Sequence, residues 1–545
     1  MQSNDVALLG QSVEQLVRAL PERISSPLFR WQQQRPDAVA VRDHMGNVCT
    51  FAQLAERVQQ CMGMFREQGV RGGDRVLLIN ENCVALAVCI LALSELDAVS
   101  VVVNARLAAP EIARISTHCE PRLTLCFLGS SAAQTHWQTL SQGANAKELN
   151  LWERALPAID ALNIDSQGAR IGVLPAPELP AAEPIADSIQ NRICVMIYTT
   201  GTTGDPKGVM LTHRNILFVS AITSVLRGMT AEDRIYAVLP ISHVFGLSAV
   251  LLASLYVGAE LVLADRFDAA RTLQTFTEQH ITGMFGVPTM FAKLIEHARA
   301  QGLGPTDMPK LRFMYSGGSP LDPTIKRETE KLFGLTLLNA YGMTESGPTI
   351  CQVRYNERLD NCSVGRPLPG LEIRLLDTEG RQVAHGEIGE LHVRGPNIMT
   401  GYFRNPQATA AVIDAEGFLN TGDLVRLDES GNVHIAGRSK ELIIHSGFNV
   451  YPPEVEAVIA RHPDVVLCAV IGEAVEGNEN VLAFVQTVAG STLNEATLHA
   501  FLKPLLTPYK RPARIVFLGQ LPTAPSGKVL KHQLKRFSQG AQQQQ

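Results

Sequence analysis

Residues 198–209 read YTTGTTGDPKGV. Gly201 and Gly204 let backbone N–H groups approach and converge, the hydroxyls of Thr199, Thr200, Thr202 and Thr203 add donors, and Lys207 adds positive charge, a combination that suits a polyphosphate. It is not a Walker A loop, because Lys207 precedes Gly208 and no Ser or Thr follows it. A shorter match would read as a Gly/Thr turn between strands, but a pattern of this length argues against that. Further along, polar side chains fall in short motifs: YGMTES at 341–346, NTGD at 420–423, GRSKELIIHSGFNVYPPEVE at 437–456 and PSGKVLK at 525–531. Glu345 offers a carboxylate that a hard cation such as Mg2+ could bridge to phosphate. Asp423 offers two oxygens suited to a vicinal diol, and Lys528 a cation that could sit between two anions. Taken singly, each has a plainer reading: Tyr341 as a core aromatic, Glu345 as a solvated acid, TGD as a turn, Arg438 and Lys528 as surface cations.

The elements that must position these residues alternate. RVLLIN at 75–80 and SVVVN at 100–104 read as strands and FAQLAERVQQCMGMFREQ at 51–68 as a helix. The alternation resumes at 193 with ICVMIYTT, AELVLAD, ITGMFG and LRFMYSG, so two α/β units of similar size are expected within the first 340 residues. Residues 129–191, rich in Ala, Pro, Gly, Ser and Gln, read mostly as surface connection. Beyond Gly365 short β-like runs (LEIRLLD, GELHVRG, GNVHIAG) predict a small β-rich subdomain. Beyond Gly437 the pattern predicts a compact α+β domain of roughly 100 residues, and SQGAQQQQ at 538–545 a disordered tail.

Composition excludes some functions. Among 545 residues, 48 Lys and Arg face 53 Asp and Glu, a balance that argues against nucleic acid as a partner. A hydrophobic content of 46% supports large cores. The ten Cys form no CxxC pair and no His cluster has metal-ligand spacing, so a reducing compartment without structural zinc is expected. The first residues show no secretory or transit pattern, and a cytoplasmic location follows as an expectation. Residues 237–259 carry no Asp, Glu, Lys or Arg and are long enough to cross a bilayer, but Pro240, Ser242, His243, Gly246, Ser248 and Ser254 favour a buried segment and no integral span.

In this order the motifs resemble those of the adenylate-forming superfamily, which holds acyl-CoA synthetases, nonribosomal-peptide adenylation domains and luciferases, over most of the chain. The resemblance implies an α/β fold with a large N-terminal domain, 1–437, of two α/β subdomains plus a small β-barrel-like subdomain. A smaller mobile α+β domain, 441–537, would follow a hinge at 438–440 that pivots on Lys440. ATP, Mg2+ and coenzyme A are the implied small molecules. Thr199, Thr200, Gly201, Thr202, Thr203, Gly204 and Lys207 would hold the phosphates, Thr344 would contact phosphate and Glu345 the metal. Gly317, Gly318, Ser319, Asn339, Tyr341 and Gly342 would frame adenine and ribose, with Asp423 and Arg438 on the ribose. Lys528 would bridge the attacking carboxylate and the α-phosphate, Ser446 and Gly447 would lie near the pantetheine, and His243 would line and gate the acyl site. The implied reaction joins a carboxylic acid to AMP with loss of pyrophosphate and then to a thiol with loss of AMP.

Coenzyme A is the expected thiol, since no carrier segment is evident; transfer to a carrier protein is the alternative. The segments LPISHVFGL, GVPTMF and YSGGSP carry neither Asp nor Arg, so a largely apolar pocket and a hydrophobic monocarboxylic acid are expected, with a fatty acid favoured over an aryl acid. A silent nucleotide-binding protein would lack Lys528, Glu345 or Asp423, and all three are present. The sequence leaves a homodimer open.

Overall fold

The helix Val84–Glu95, VALAVCILALSE, has no polar stripe and is buried from Val84 to Ser94, so layers must cover it on every side. In the computed structural model they do. The model describes residues 3–142, 145–151, 170–178, 180–200, 206–445, 448–475, 478–488, 490–523, 529–531 and 533–534. Among these residues the strands form two large sheets, of nine and eight strands, and sheets of four, three and two strands.

The eight-stranded sheet centres on Arg75–Asn80, which is buried throughout and paired in parallel with Val99–Asn104 and Leu123–Phe127. Strands covered on both faces need continuous apolar runs, and RVLLIN supplies one. The nine-stranded sheet sets Arg234–Ala237, Gly283–Gly286, Phe313–Ser316 and Leu337–Gly342 side by side in parallel. The two sheets do not follow chain order. Val39–Asp43 and Val48–Thr50, from the first unit of the sequence, extend the second sheet, and Gly401–Tyr402 joins the first.

Residues 129–191 depart from the expected surface connection. Their described part holds the helix Ser131–Leu140 and two antiparallel strands, Arg170–Pro175 beside Leu123–Phe127 and Lys147–Asn150 outside it at the sheet edge. Trp137 packs on Gly172, where a Cβ would fall 2.3 Å from the indole. Edge strands carry one wet face and irregular composition, which hides their period.

The charge-free stretch 237–259 is not one helix. From the strand Arg234–Ala237 the chain turns at Pro240, runs as a π-helix over Phe245–Leu252 and as an α-helix over Ala253–Val257, and ends at Gly258 with φ +80°. A Cβ on Gly246 would meet the Pro240 carbonyl at 2.2 Å, so the fold-back requires glycine there. Among the described residues no helix is long and apolar enough to cross a membrane. The helix His213–Leu226, opened by a Thr212/Asn215 capping box, packs beside the π-helix.

Beyond residue 365 the runs expected to be β form a four-stranded antiparallel sheet, Glu372–Leu376, Gly389–Arg394, Leu419–Leu427 and Val433–Arg438. The hairpin Ile443–His445/Phe448–Val450, the helices Pro452–Ile459 and Glu495–Leu502, and the three-stranded sheet of Val465–Val475, Asn478–Thr487 and Arg514–Phe517 follow. They share a core of Ile443, Val450, Val455, Ile459, Val470 and Val481. The expected tail at 538–545 lies outside the described residues.

Candidate active site

Four parallel strands of the nine-stranded sheet end on one edge, and the expected adenine and acyl residues follow their carboxyl ends. His243 comes after Arg234–Ala237, Gly317, Gly318 and Ser319 after Phe313–Ser316, and Asn339 and Tyr341 close Leu337–Gly342. Ligands of open α/β sheets bind outside such ends. Backbone fit there is tight. A Cβ on Gly342 would lie 1.7 Å from the Pro348 carbonyl oxygen, and Gly318 sits at φ +79°. Asn339 is buried and donates to the Cys362 carbonyl at 3.1 Å.

Asp423 reaches this edge from the four-stranded sheet. It is 5% exposed, accepts from the Tyr341 hydroxyl at 2.5 Å and pairs with Arg438 Nε at 3.1 Å. Asp423 and Arg438 face each other across neighbouring antiparallel strands, so the ladder itself sets the pair. Burial, and then the carboxylate, push the Tyr341 phenol well above its ordinary pKa, so it stays a neutral donor.

A second cluster joins the hairpin of Ile193–Thr200 and Pro206–Thr212 to Glu345. Thr199 opposes Lys207 and Thr200 opposes Pro206 in that hairpin, so both strands flank the Gly/Thr sequence of 201–205. Lys207 Nζ lies 5.0 Å from the centre of the Tyr402 ring, a cation–π distance. The Tyr402 hydroxyl donates to Glu345 Oε1 at 2.8 Å. Burial, with Glu345 second, drives the Tyr402 phenol pKa upward. Thr344 and Glu345 are both buried in the one-turn helix Thr344–Ser346, whose place is fixed by Met399 N–H on the Glu345 carbonyl at 2.9 Å and by Asn397 on the Ser346 and Thr349 carbonyls at 2.9 and 3.1 Å. Tyr402 and Asn397 are residues that reading the sequence missed; GYFRNP at 401–406, an aromatic run beside a turn, was the available signal for Tyr402, and Asn397 had none.

His243 accepts the Phe245 N–H on Nδ1 at 3.2 Å. Its ring is open to solvent, yet enough protein surrounds it to lower its pKa, as fits a side chain lining a recess. Lys440 is exposed in the one-turn helix Ser439–Glu441, between the four-stranded sheet and the 443–450 hairpin. Gly201, Thr202, Thr203, Gly204, Ser446, Gly447 and Lys528 lie outside the described residues, as does the side chain of Thr200.

The donor set suits Mg2+. Glu345 offers a buried carboxylate beside the hairpin of Ile193–Thr200 and Pro206–Thr212, and Mg2+ held by one carboxylate plus substrate phosphates would need no all-protein cage. Among the described residues no group of three His, Cys, Asp or Glu forms such a cage.

An α/β framework with buried Asp423 and Glu345 carboxylates gathered near the carboxyl ends of parallel strands is the arrangement of an α/β enzyme. Residues 28–403 match the AMP-binding enzyme family and residues 454–528 its C-terminal domain. The chain is 32% identical over 515 residues to the feruloyl-CoA synthase of Amycolatopsis sp, covering 93% of this chain and 97% of that one. ATP-bound MatB from Rhodopseudomonas palustris superposes with TM-score 0.81 at 28% identity, over 94% of this chain and 98% of that one. The o-succinylbenzoate coenzyme A synthetase MenE from Bacillus subtilis, in complex with ATP and magnesium ion, does so with TM-score 0.77 at 27% identity, over 93% and 99%. The chain belongs to the AMP-binding, adenylate-forming enzymes, and within them it is an acid–CoA ligase that uses ATP and coenzyme A.

Proposed function

We propose that the protein activates a hydrophobic carboxylic acid as its acyl-adenylate at the edge described above and transfers the acyl group to coenzyme A in the same site. The observation that carries this reading is the pair of clusters: Tyr341–Asp423–Arg438, sized for a ribose, and Lys207–Tyr402–Glu345, sized for phosphate. In the first half-reaction the acid's carboxylate attacks the α-phosphate and pyrophosphate leaves. Lys207 and the Gly/Thr loop bind the phosphates, Asp423 and Arg438 exchange their mutual contact for the ribose hydroxyls, and Lys528 approaches from the C-terminal domain to offset the repulsion between the anions. Mg2+ bound at Glu345 would neutralise phosphate charge. In the second half the thiol attacks the acyl carbon and AMP leaves, after the domain beyond residue 440 has turned to withdraw Lys528 and present Ser446 and Gly447.

The apolar segments around His243 favour a fatty acid, whereas the likeness to a feruloyl-CoA synthase favours an aryl acid. Pyrophosphate release across a panel of fatty, cinnamic and benzoic acids, followed by thioester formation with coenzyme A, separates these readings from transfer to a carrier protein. Lys528→Ala is expected to lower adenylation by about 10²- to 10³-fold, the usual loss for one preorganised charge donor. Unchanged pyrophosphate release in that variant would remove Lys528 from the reaction.

A further inference from the structure

Arg227 closes the helix His213–Leu226 and is wholly buried. Its Nη1 donates to the Ala249 carbonyl at 2.9 Å, and its guanidinium carbon lies 4.9 Å from the Phe285 ring centre and 5.3 Å from that of Tyr315. Nε and Nη2 have no partner among the described residues, and no described carboxylate pairs with the group. Burial lowers its pKa only to about 10, so it remains a cation at neutral pH. A buried guanidinium with unmet donors is costly, and a well-packed apolar side chain would fill the same volume more favourably. The same wedge holds other polar atoms without partners. Thr223 Oγ1 is one turn back on the helix, Ser248 Oγ is beside Ala249, and Gln352 Oε1 belongs to an amide that reaches the Thr223 carbonyl at 3.5 Å.

The neighbours of Arg227 are walls of the proposed acyl pocket. Ala249 lies in the π-helix after His243, Phe285 precedes Gly286, and Tyr315 opens YSGGSP. Starting from the nucleotide edge, a Gly317 Cβ would lie 3.1 Å from the Phe245 ring, and the Phe245 and Phe285 ring centres are 6.4 Å apart. Two aromatic rings therefore separate that edge from the guanidinium. With the Phe245 and Phe285 rings turned aside, an acid whose reacting carboxylate sits at the edge would direct its far end toward Arg227.

We propose that Arg227 determines specificity at the far end of the acyl pocket, where Nε and Nη2 receive an accepting oxygen, carbonyl or carboxylate, carried by the distal part of the acid. This rests on the acyl-pocket reading given above, and it adds one polar recognition group to the largely apolar pocket expected there.

The experiment compares octanoate, 7-oxooctanoate and octanedioate, and cinnamate with 4-carboxycinnamate, in the full-length protein and in Arg227→Met and Arg227→Lys. Acyl-adenylate formation is read as pyrophosphate release, and binding of the same acids without ATP as a thermal shift. The native protein is expected to favour an oxygen-bearing acid over its parent by at least about tenfold in kcat/KM, since a site built to hydrogen-bond a polar group discriminates against the analogue lacking it. Arg227→Met should abolish the preference, and Arg227→Lys should keep it for the dicarboxylates more than for the ketone. A native protein without this preference overturns the proposal whether or not the variants fold, and so does an unchanged ratio in a folded Arg227→Met. If no acid is adenylated but the oxygen-bearing acids still shift the native protein more than Arg227→Met, the ligase assignment fails and the role of Arg227 stands; if binding shows no difference either, the role of Arg227 fails too.

Discussion

Tyr402 holds the Lys207–Glu345 cluster together from a distance of 57 positions, through its hydroxyl on Glu345 and its ring beneath Lys207. Hydrogen bonds to charged groups contribute about 1.5–3 kcal/mol, so Tyr402→Phe, which keeps the ring and removes the donor, should slow adenylation by about tenfold or more. The thermal midpoint should fall only modestly, because the ring still fills its place while the buried Glu345 carboxylate loses one donor. Steady-state pyrophosphate release at varied ATP measures it, and unchanged kcat and KM would show that the hydroxyl does not position Glu345. Glu345, Asp423 and the Gly/Thr loop were legible because each lies in a contiguous motif. Tyr402 was not, because only the pairing of Gly401–Tyr402 with Val209 and Met210 brings it to the loop. Arg227 was hidden for the same reason: it stands outside every acyl segment in sequence and inside their packing in space.

The helix His213–Leu226 is the element on which both the acyl side and the N-terminal segment lean. His213, at its first turn, is wholly buried and accepts the Ile24 N–H on Nδ1 at 3.2 Å. Burial, and then Arg23 and Arg192, lower its pKa from 6.5 to about 3. Between those values the unfolded chain carries a proton on this imidazole that the folded chain refuses, so its contribution to stability is intact above about pH 6.5 and is lost as pH falls toward 3. At pH 5 the loss is about 2 kcal/mol. His213→Gln, which offers a carbonyl acceptor and does not titrate, should flatten the fall in thermal midpoint between pH 7 and pH 5. An equally steep fall in the variant would assign the acid sensitivity to other groups. At this scale strongly periodic helices and buried parallel strands were readable from sequence, whereas the edge strand at 147–150 was not, because Lys147, Glu148, Leu149 and Asn150 are exposed or half-buried and supply almost no apolar signal; its neighbour at 170–175 is buried over Ile171–Val173 but is short and interrupted by Gly172.

At the scale of the molecule, strands exchanged between the two large sheets tie the first 403 residues into one framework, and the chain beyond the four-stranded sheet builds a separate core. The turn Ser439–Glu441 joins them. On its near side Ser439 donates to Glu390, and His392 foremost, with Ser439 and Asn420, holds that carboxyl at about pKa 2, so the anchor stays charged across the working range. On its far side Glu441 pairs with Lys531 at 2.9 Å. Lys440 stands between these two fixed points with an exposed side chain, at the position proposed as the pivot. Lys440→Pro would lock φ near −65° and remove the N–H, so one domain pose should survive and the other should be lost. Whichever pose is kept, only one half-reaction should survive: either near-native pyrophosphate release with acyl-adenylate accumulating, or near-native thioester formation from supplied acyl-adenylate, with the other half slowed at least tenfold. A quench experiment that follows bound acyl-adenylate before and after addition of coenzyme A distinguishes the two halves. Equal slowing of both would move the pivot away from residue 440.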